Sequence, residues 1–87
     1  MKITGVFPIA GKVHVLTTDE EFSPEIWQRV RHRKKIRIAD QGREVVLAVD
    51  ACEVILQGSK EFISFVVPAI PDREVQDFIL GRRVEPS

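Results

Sequence analysis

Apolar and polar residues alternate along much of this chain, which is the pattern of β-strands that bury one face. Around position 36, Ile36 and Ile38 face one way while Lys35 and Arg37 face the other. Comparable β-prone runs recur at intervals typical of an all-β fold. The predicted strands fall in residues 3–7, 12–17, 34–38, 44–56 and 62–67.

Turn-forming residues separate these runs. Asp40-Gln41-Gly42 predicts a tight hairpin turn, because glycine adopts positive φ at no steric cost. Residues 8–11 and 57–60 predict two further turns. Residues 45–49 are apolar on both faces whereas the following residues are mixed, so we expect the long strand to bend near Asp50.

Two segments have the features of helix starts. Ser23 suits an N-cap, Pro24 the first helical position and Glu25 the positive end of the helix dipole. A short helical insertion is therefore expected before the strand at residue 34. Near the C-terminus, Asp72 predicts a cap for one helical turn, and residues 78–84 suit either a continuation of that helix or a last strand. We favour the turn followed by the strand.

The number of strands and the chain length together indicate a fold class. A chain of 87 residues supplies one hydrophobic core. We therefore predict a single all-β domain over residues 1–87, a small closed or partly open barrel of about six strands with a short helical insertion. Closure removes the exposed edges that so small a sheet otherwise presents.

Charge is balanced over the whole chain, which has 13 basic and 13 acidic residues. No long-range field therefore attracts nucleic acid or an anionic membrane, and any such binding has to be local. The one cysteine cannot form an internal disulfide, which favours a reducing compartment and a cytoplasmic location. The sequence contains neither a signal-peptide pattern nor an apolar run of membrane-spanning length, so no membrane partner is expected.

Several stretches share a pattern with a known domain family. They are residues 6–13, Lys35-Ile36-Arg37-Ile38 with the turn at Gly42, residues 45–50, residues 62–67, and Pro71-Asp72-Arg73-Glu74-Val75 with Gly81. In these stretches the chain resembles the β-barrel second domain of translational GTPases such as elongation factor Tu. The resemblance implies a free-standing barrel with a binding role, associated with RNA or the ribosome. No phosphate-loop motif G-x-x-x-x-G-K-[ST] occurs, so the chain is not expected to be a GTPase itself.

The most pointed chemical feature is the basic segment, residues 29–37, which contains six permanent cations and no acidic residue. Such cations bind RNA phosphates, and Trp27 or Phe22 offers a ring on which a base can stack. The predicted binding residues are Trp27, Arg29, Arg31, Arg33, Lys34, Lys35 and Arg37. We therefore predict a non-enzymatic binding module that takes RNA or an acidic protein and needs no cofactor.

The alternative interpretation is that the basic segment is an ordinary solvent-exposed surface that binds no ligand. Its cations then pair with the acidic residues just before and within the predicted helix, because exposed ion pairs are common. Those residues are Asp19, Glu20, Glu21 and Glu25. On this reading the protein is a protein-interaction or structural subunit without a nucleic-acid role, and residues 65–70 expose an apolar patch for self-association.

A small enzyme is the third hypothesis. Cys52 with His14 or His32 supplies a nucleophile and a base, although a lone cysteine on a strand is more often a packed apolar residue. Two histidines and one cysteine far apart in sequence do not form a recognisable zinc pattern. Asp50 and Glu53 are expected on opposite faces of a strand, as solvent-facing charges rather than a catalytic pair.

Overall fold

The fold consists of two antiparallel sheets and two short helices. A computed structural model describes all residues from Met1 to Ser87. The strands are β1 (Ile3–Ile9), β2 (Val13–Glu21), β3 (Lys35–Asp40), β4 (Arg43–Ala48), β5 (Ala51–Gln57), β6 (Lys60–Pro68) and β7 (Glu85–Pro86), and the helices are α1 (Pro24–Val30) and α2 (Arg73–Ile79). One sheet has the order β1-β2-β6-β5 and the other β4-β3-β7. The predicted all-β class is confirmed, but the two sheets do not close into a barrel and the strands number seven.

Residues with positive φ, in the left-handed backbone conformation, form the tight turns of two hairpins. Ala10 and Gly11 join β1 to β2 with φ of 51° and 68°. Gln41 and Gly42 join β3 to β4 with φ of 50° and 78°. Positive φ at both central residues is the type I′ geometry, whose twist matches that of the flanking strands. The predicted turn at residues 40–42 is confirmed.

Helix α1 begins where the sequence predicts. The Ser23 hydroxyl accepts a hydrogen bond from the Ile26 amide at 3.2 Å, and Pro24 occupies the first helical position. The helix is only seven residues long, so packing rather than intrinsic propensity stabilises it. Val30 supplies that packing, because its side chain is buried in the core.

The hydrophobic core combines residues from both sheets and both helices. Alternation along β3 buries Ile36 and Ile38 completely, as the sequence predicts. Eleven apolar side chains form the buried cluster: Ile3, Leu16, Val30, Ile36, Ile38, Ile63, Phe65, Val67, Ile70, Ile79 and Val84. Burial of Phe65, Val67 and Ile70 corrects the expectation that residues 65–70 expose an apolar patch. Phe65 and Val67 share by alternation the face of β6 that packs on the core, and Ile70 is buried just after the strand ends.

Buried polar groups are paired within the protein. The Nδ1 atom of buried His14 accepts from the Ile70 amide at 3.0 Å. The Ser64 hydroxyl donates to the Leu16 carbonyl at 3.0 Å, which links the two inner strands β6 and β2. His14 therefore has a structural role, because it satisfies an amide that burial would otherwise leave unpaired.

The C-terminal region differs from the sequence expectation. Asp72 caps α2 as predicted, accepting from the Glu74 amide at 2.8 Å. The helix then continues to Ile79, so the last strand predicted within residues 78–84 is wrong. The reason is packing: Ile79 is fully buried one helical turn after half-buried Val75, which gives α2 an apolar face. Only the two residues of β7 pair with β3.

An aromatic ring joins α2 to the β3–β4 hairpin. The guanidinium carbons of Arg43 and Arg82 lie 4.5 and 4.3 Å from the centre of the Phe78 ring. Arg82 also contacts Asp40, with its Nε 3.0 Å from the carboxylate Oδ2. Cations over an aromatic face are attracted by the ring quadrupole, so Phe78 holds both arginines in place.

The chain crosses between the sheets at two consecutive residues. The Val49 amide donates to the Lys34 carbonyl at 2.8 Å, beside the start of β3. The next amide, that of Asp50, donates to the Val66 carbonyl of β6 at 2.8 Å. This break confirms the bend predicted near Asp50 and divides the long β-prone stretch into β4 and β5.

We predict that Gln41→Asn stabilises the protein. Asparagine adopts the left-handed conformation more readily than glutamine does, so we expect a gain of about 0.5–1 kcal/mol in the free energy of unfolding. For a domain of this size that gain raises the thermal midpoint by about 2–8 °C. The measurement is thermal unfolding followed by circular dichroism.

Gln57→Asn is the matched control. Gln57 ends β5 without a positive φ, so the same chemical change should not stabilise the protein there. A Gln41→Asn variant that melts at or below the wild-type temperature would contradict the turn assignment.

Candidate nucleic-acid interface

The basic segment runs from the end of α1 to the middle of β3. Every one of its lysine and arginine side chains is exposed. Helical geometry continues to Arg31, whose amide donates to the Trp27 carbonyl at 3.0 Å. The Arg33 amide then donates to Val30 and ends the turn. The cations thus follow one another from the last turn of α1 to the exposed face of β3.

Arg37 differs from the other cations because carboxylates on both neighbouring strands contact it. Its Nε lies 2.6 Å from Glu44 Oε2 on β4, and its Nη1 lies 3.3 Å from Glu85 Oε2 on β7. The hydrogen bond and charge of Glu44, with the smaller effect of Glu85, raise the pKa of the Arg37 guanidinium. The charge of Arg37 is therefore locally balanced.

The remaining cations of the basic segment form no ion pair. They are Arg29, Arg31, Arg33, Lys34 and Lys35. Two of the acidic residues expected to neutralise them have other partners: Asp19 accepts from the Lys2 amide at 2.7 Å, and Glu21 contacts Lys60 at 3.4 Å. Glu20 and Glu25 form no ion pair with any of the five cations. The ion pairs expected for a solvated surface are therefore absent, which leaves these five charges available.

Arg33 has a fixed orientation within this surface. Its Nε donates to the Arg29 carbonyl at 2.9 Å, one of the carbonyls that a helix end leaves without a partner. A cation at this position is also favoured by the negative end of the α1 dipole. The hydrogen bond orders the side chain while the remaining N–H groups of its guanidinium stay free to donate.

The two aromatic residues near the basic segment lie together. The ring centres of Phe22 and Trp27 are 6.1 Å apart, with the ring planes tilted by 57°. Trp27 is half-buried and packs against the core, and Phe22 is 37% exposed. Trp27 is thus partly a core residue, and the pair offers an apolar edge rather than a fully open platform.

An open groove borders the basic segment, with a volume of about 450 Å³. Residues 31–34 form one wall, and residues 49–52 form the other. We call it the cationic groove. The Val49–Lys34 backbone hydrogen bond fixes the two walls relative to each other. Asp50 is the only acidic residue that lines it.

The sequence does not predict the second wall of the cationic groove as part of a binding surface, although Asp50 and Cys52 enter the enzyme hypothesis. Residues 49–52 carry no cation and lie far from the basic segment in sequence. The bend expected near Asp50 was the available signal, because a strand that leaves one sheet for another opens a gap beside it. The sequence does not reveal which segment lies across that gap.

The cysteine and histidines of the enzyme hypothesis are only partly brought together. His32 and Cys52 line opposite walls of the cationic groove, whereas His14 is buried and bonded to Ile70. Burial raises the pKa of the Cys52 thiol to about 11, and the charge of Glu53 adds to the rise. A thiol that stays protonated at neutral pH is a poor nucleophile, so this geometry does not favour the enzyme hypothesis.

The other candidate chemistry is sparse. Asp50 and Glu53 are both exposed, as expected for solvent-facing charges. No group of three or more histidine, cysteine, aspartate or glutamate side chains is arranged to hold a metal ion. Neither helix has the length and apolar character needed to cross a membrane.

Comparisons with known proteins give no family from which a function can be assigned, so any functional proposal rests on the residues of the site. No protein-family model, no curated protein and no solved structure matches this chain. The resemblance to the second domain of translational GTPases therefore stays a prediction.

We predict that the Cys52 thiol reacts slowly at neutral pH. With a pKa of about 11 against the ordinary 9.0, its thiolate fraction at pH 8 is about 100-fold lower than that of a free thiol. The rate of alkylation by iodoacetamide should therefore rise with pH up to a midpoint near 11. Mass spectrometry of the alkylated protein measures this rate, because Cys52 is the only cysteine.

The same protein unfolded in urea is the control, since exposure restores an ordinary thiol. A folded-state midpoint near neutral pH would contradict the burial argument and revive the pairing of Cys52 with His32 as nucleophile and base.

Proposed function

We propose that this protein is a non-enzymatic binding module that takes RNA on the basic segment. The observation that carries the proposal is the set of five exposed cations without ion pairs, within a chain of zero net charge. Because the rest of the molecule adds no attractive field, binding comes from direct contact at this surface. Each phosphate contacted releases counterions, which is the main source of affinity for nucleic acid.

Two features favour RNA over an acidic protein as the partner. Three of the five free cations are arginines, whose planar guanidinium groups donate two hydrogen bonds to one phosphate and stack on bases. The partly exposed ring of Trp27, one helical turn before Arg31, lies beside the ring of Phe22, and an unpaired base can stack there. If the resemblance to translation-factor domains holds, ribosomal RNA is the natural example of such a partner.

Self-association has less support from the described surface. Of the exposed apolar side chains, Phe7 and Ile9 lie on the edge strand β1 and are about half exposed. Pro8 lies between them and has no backbone N–H to offer to an added strand. This edge is therefore a poor template for pairing with a second copy.

We predict that RNA binding weakens steeply with salt. Three to five phosphate contacts give a slope of log K against log salt concentration of about −2 to −3.5 for a single strand. Fluorescence anisotropy of a labelled oligouridylate and of a structured ribosomal RNA fragment, over a salt series, measures that slope. An acidic peptide of equal charge serves as a competitor, and its tighter binding would overturn RNA in favour of an acidic protein.

We further predict that changing Arg31, Arg33 and Lys35 together to glutamine lowers RNA affinity by about ten- to a hundredfold at low salt and makes the salt slope about 2 less steep. Lys2, Lys12 and Arg83 changed to glutamine remove the same charge from exposed, unpaired residues outside the basic segment. This control should retain most of the affinity. Equal losses in the two variants would mean that the basic segment is not the binding surface.

A further inference from the structure

Of the hollows that the basic segment lines, the cationic groove is the one with three unpaired cations, and its position is fixed. One wall is the turn that follows α1, and the other is the crossing between the two sheets. The Val49 amide ties the crossing to Lys34, and the Asp50 amide ties it to β6, each at 2.8 Å. A ligand in the groove therefore contacts a preformed site, which lowers the entropic cost of binding.

The charges in the groove are distributed unequally between its walls. Arg31, Arg33 and Lys34 occupy the first wall, and none of them has an ion-pair partner. The second wall is apolar apart from the carboxylate of Asp50. A second hollow at the β3–β4 turn lacks this character, because Arg37 there is already paired with Glu44.

We infer that the cationic groove binds the phosphodiester backbone of an unpaired RNA strand, and that Asp50 limits its affinity. This inference rests on the proposed function and specifies the form of the RNA and the place where it lies. Proteins that bind single strands combine a positive groove along the backbone with aromatic rings for the bases. Here Trp27 lies one helical turn before Arg31, so we expect a strand that leaves the groove along α1 to approach the Trp27 ring.

Two separate variants, each with one added negative charge, test the groove directly. Ala51→Glu introduces a carboxylate on the second wall, where residue 51 is exposed. Ser59→Glu introduces the same charge in the turn between β5 and β6, about 20 Å away along β5. We expect Ala51→Glu to weaken oligouridylate binding at least about fivefold and Ser59→Glu to change it by less than about twofold.

Asp50→Asn tests the inference in the opposite direction with little change in shape. Because the Asp50 side chain makes no hydrogen bond or ion pair, its loss should not disturb folding. Removing the repulsion between this carboxylate and a phosphate should tighten binding by about two- to fivefold. Thermal unfolding of each variant checks that the fold is retained.

The outcomes separate the groove from the proposed function. If wild type binds oligouridylate but Ala51→Glu matches Ser59→Glu and Asp50→Asn has no effect, the groove inference is overturned while RNA binding on the basic segment stands. If wild type binds no RNA, both fail. Tighter binding of a duplex than of the single strand, or of an acidic peptide than of either RNA, also overturns the inference.

Discussion

Two successive backbone amides attach the chain to both sheets at the point where it crosses between them. The Val49 amide donates toward the β3 side and the Asp50 amide donates to β6, so one step of the chain is hydrogen-bonded to both sheets. Successive residues of an extended chain point in opposite directions, which makes such a double attachment possible. Leu47 before the crossing and Cys52 after it both pack against the same core. The arrangement of β4 and β5, and with it the shape of the molecule, depends on this junction.

The same junction positions the candidate site. The turn after α1 is rich in positive charge, but a turn alone presents a convex surface. Residues 49–52 provide the opposite wall that makes this surface concave, and they bring one carboxylate into it. Arg31, Arg33 and Lys34 thus face the opposite wall at the place where the chain changes sheets, and Trp27 lies one helical turn before Arg31. The proposed binding role rests on these features together rather than on any one of them.

Local signals in the sequence were sufficient for most of the elements. Ser23 and Pro24 start a helix, Ile36 and Ile38 alternate into the core, and Gly42 forms the predicted turn. Each of these depends on residues within a few positions of one another, where capping, alternation and backbone conformation decide the outcome. The exposure of the cations in the basic segment was predictable for the same reason, because they cluster within nine residues of the chain.

Features that depend on distant contacts were not predictable in this way. The apolar residues Phe78 to Leu80 suit a strand as well as a helix, and the buried position of Ile79 decides for the helix. Whether the sheets close into a barrel depends on which strand edges pair with each other. The alternation of apolar and polar residues does not specify that pairing, and here the sheets stay open. The pairing of Arg37 with Glu85 and the absence of partners for Arg31 likewise depend on residues far apart in sequence.

The contact of Phe78 with two arginines bears on how the basic residues of this protein can change in evolution. Arg43 and Arg82 are held against its ring and Arg37 is held by two carboxylates, so these arginines stabilise the fold. The cations at residues 29–35 have no such contacts apart from the helix-end bond of Arg33. The contacts that stabilise the fold and the cations of the proposed binding surface therefore belong to largely separate sets of basic residues. If the proposed function holds, substitutions can adjust the strength of binding while the selection that preserves folding acts on other positions.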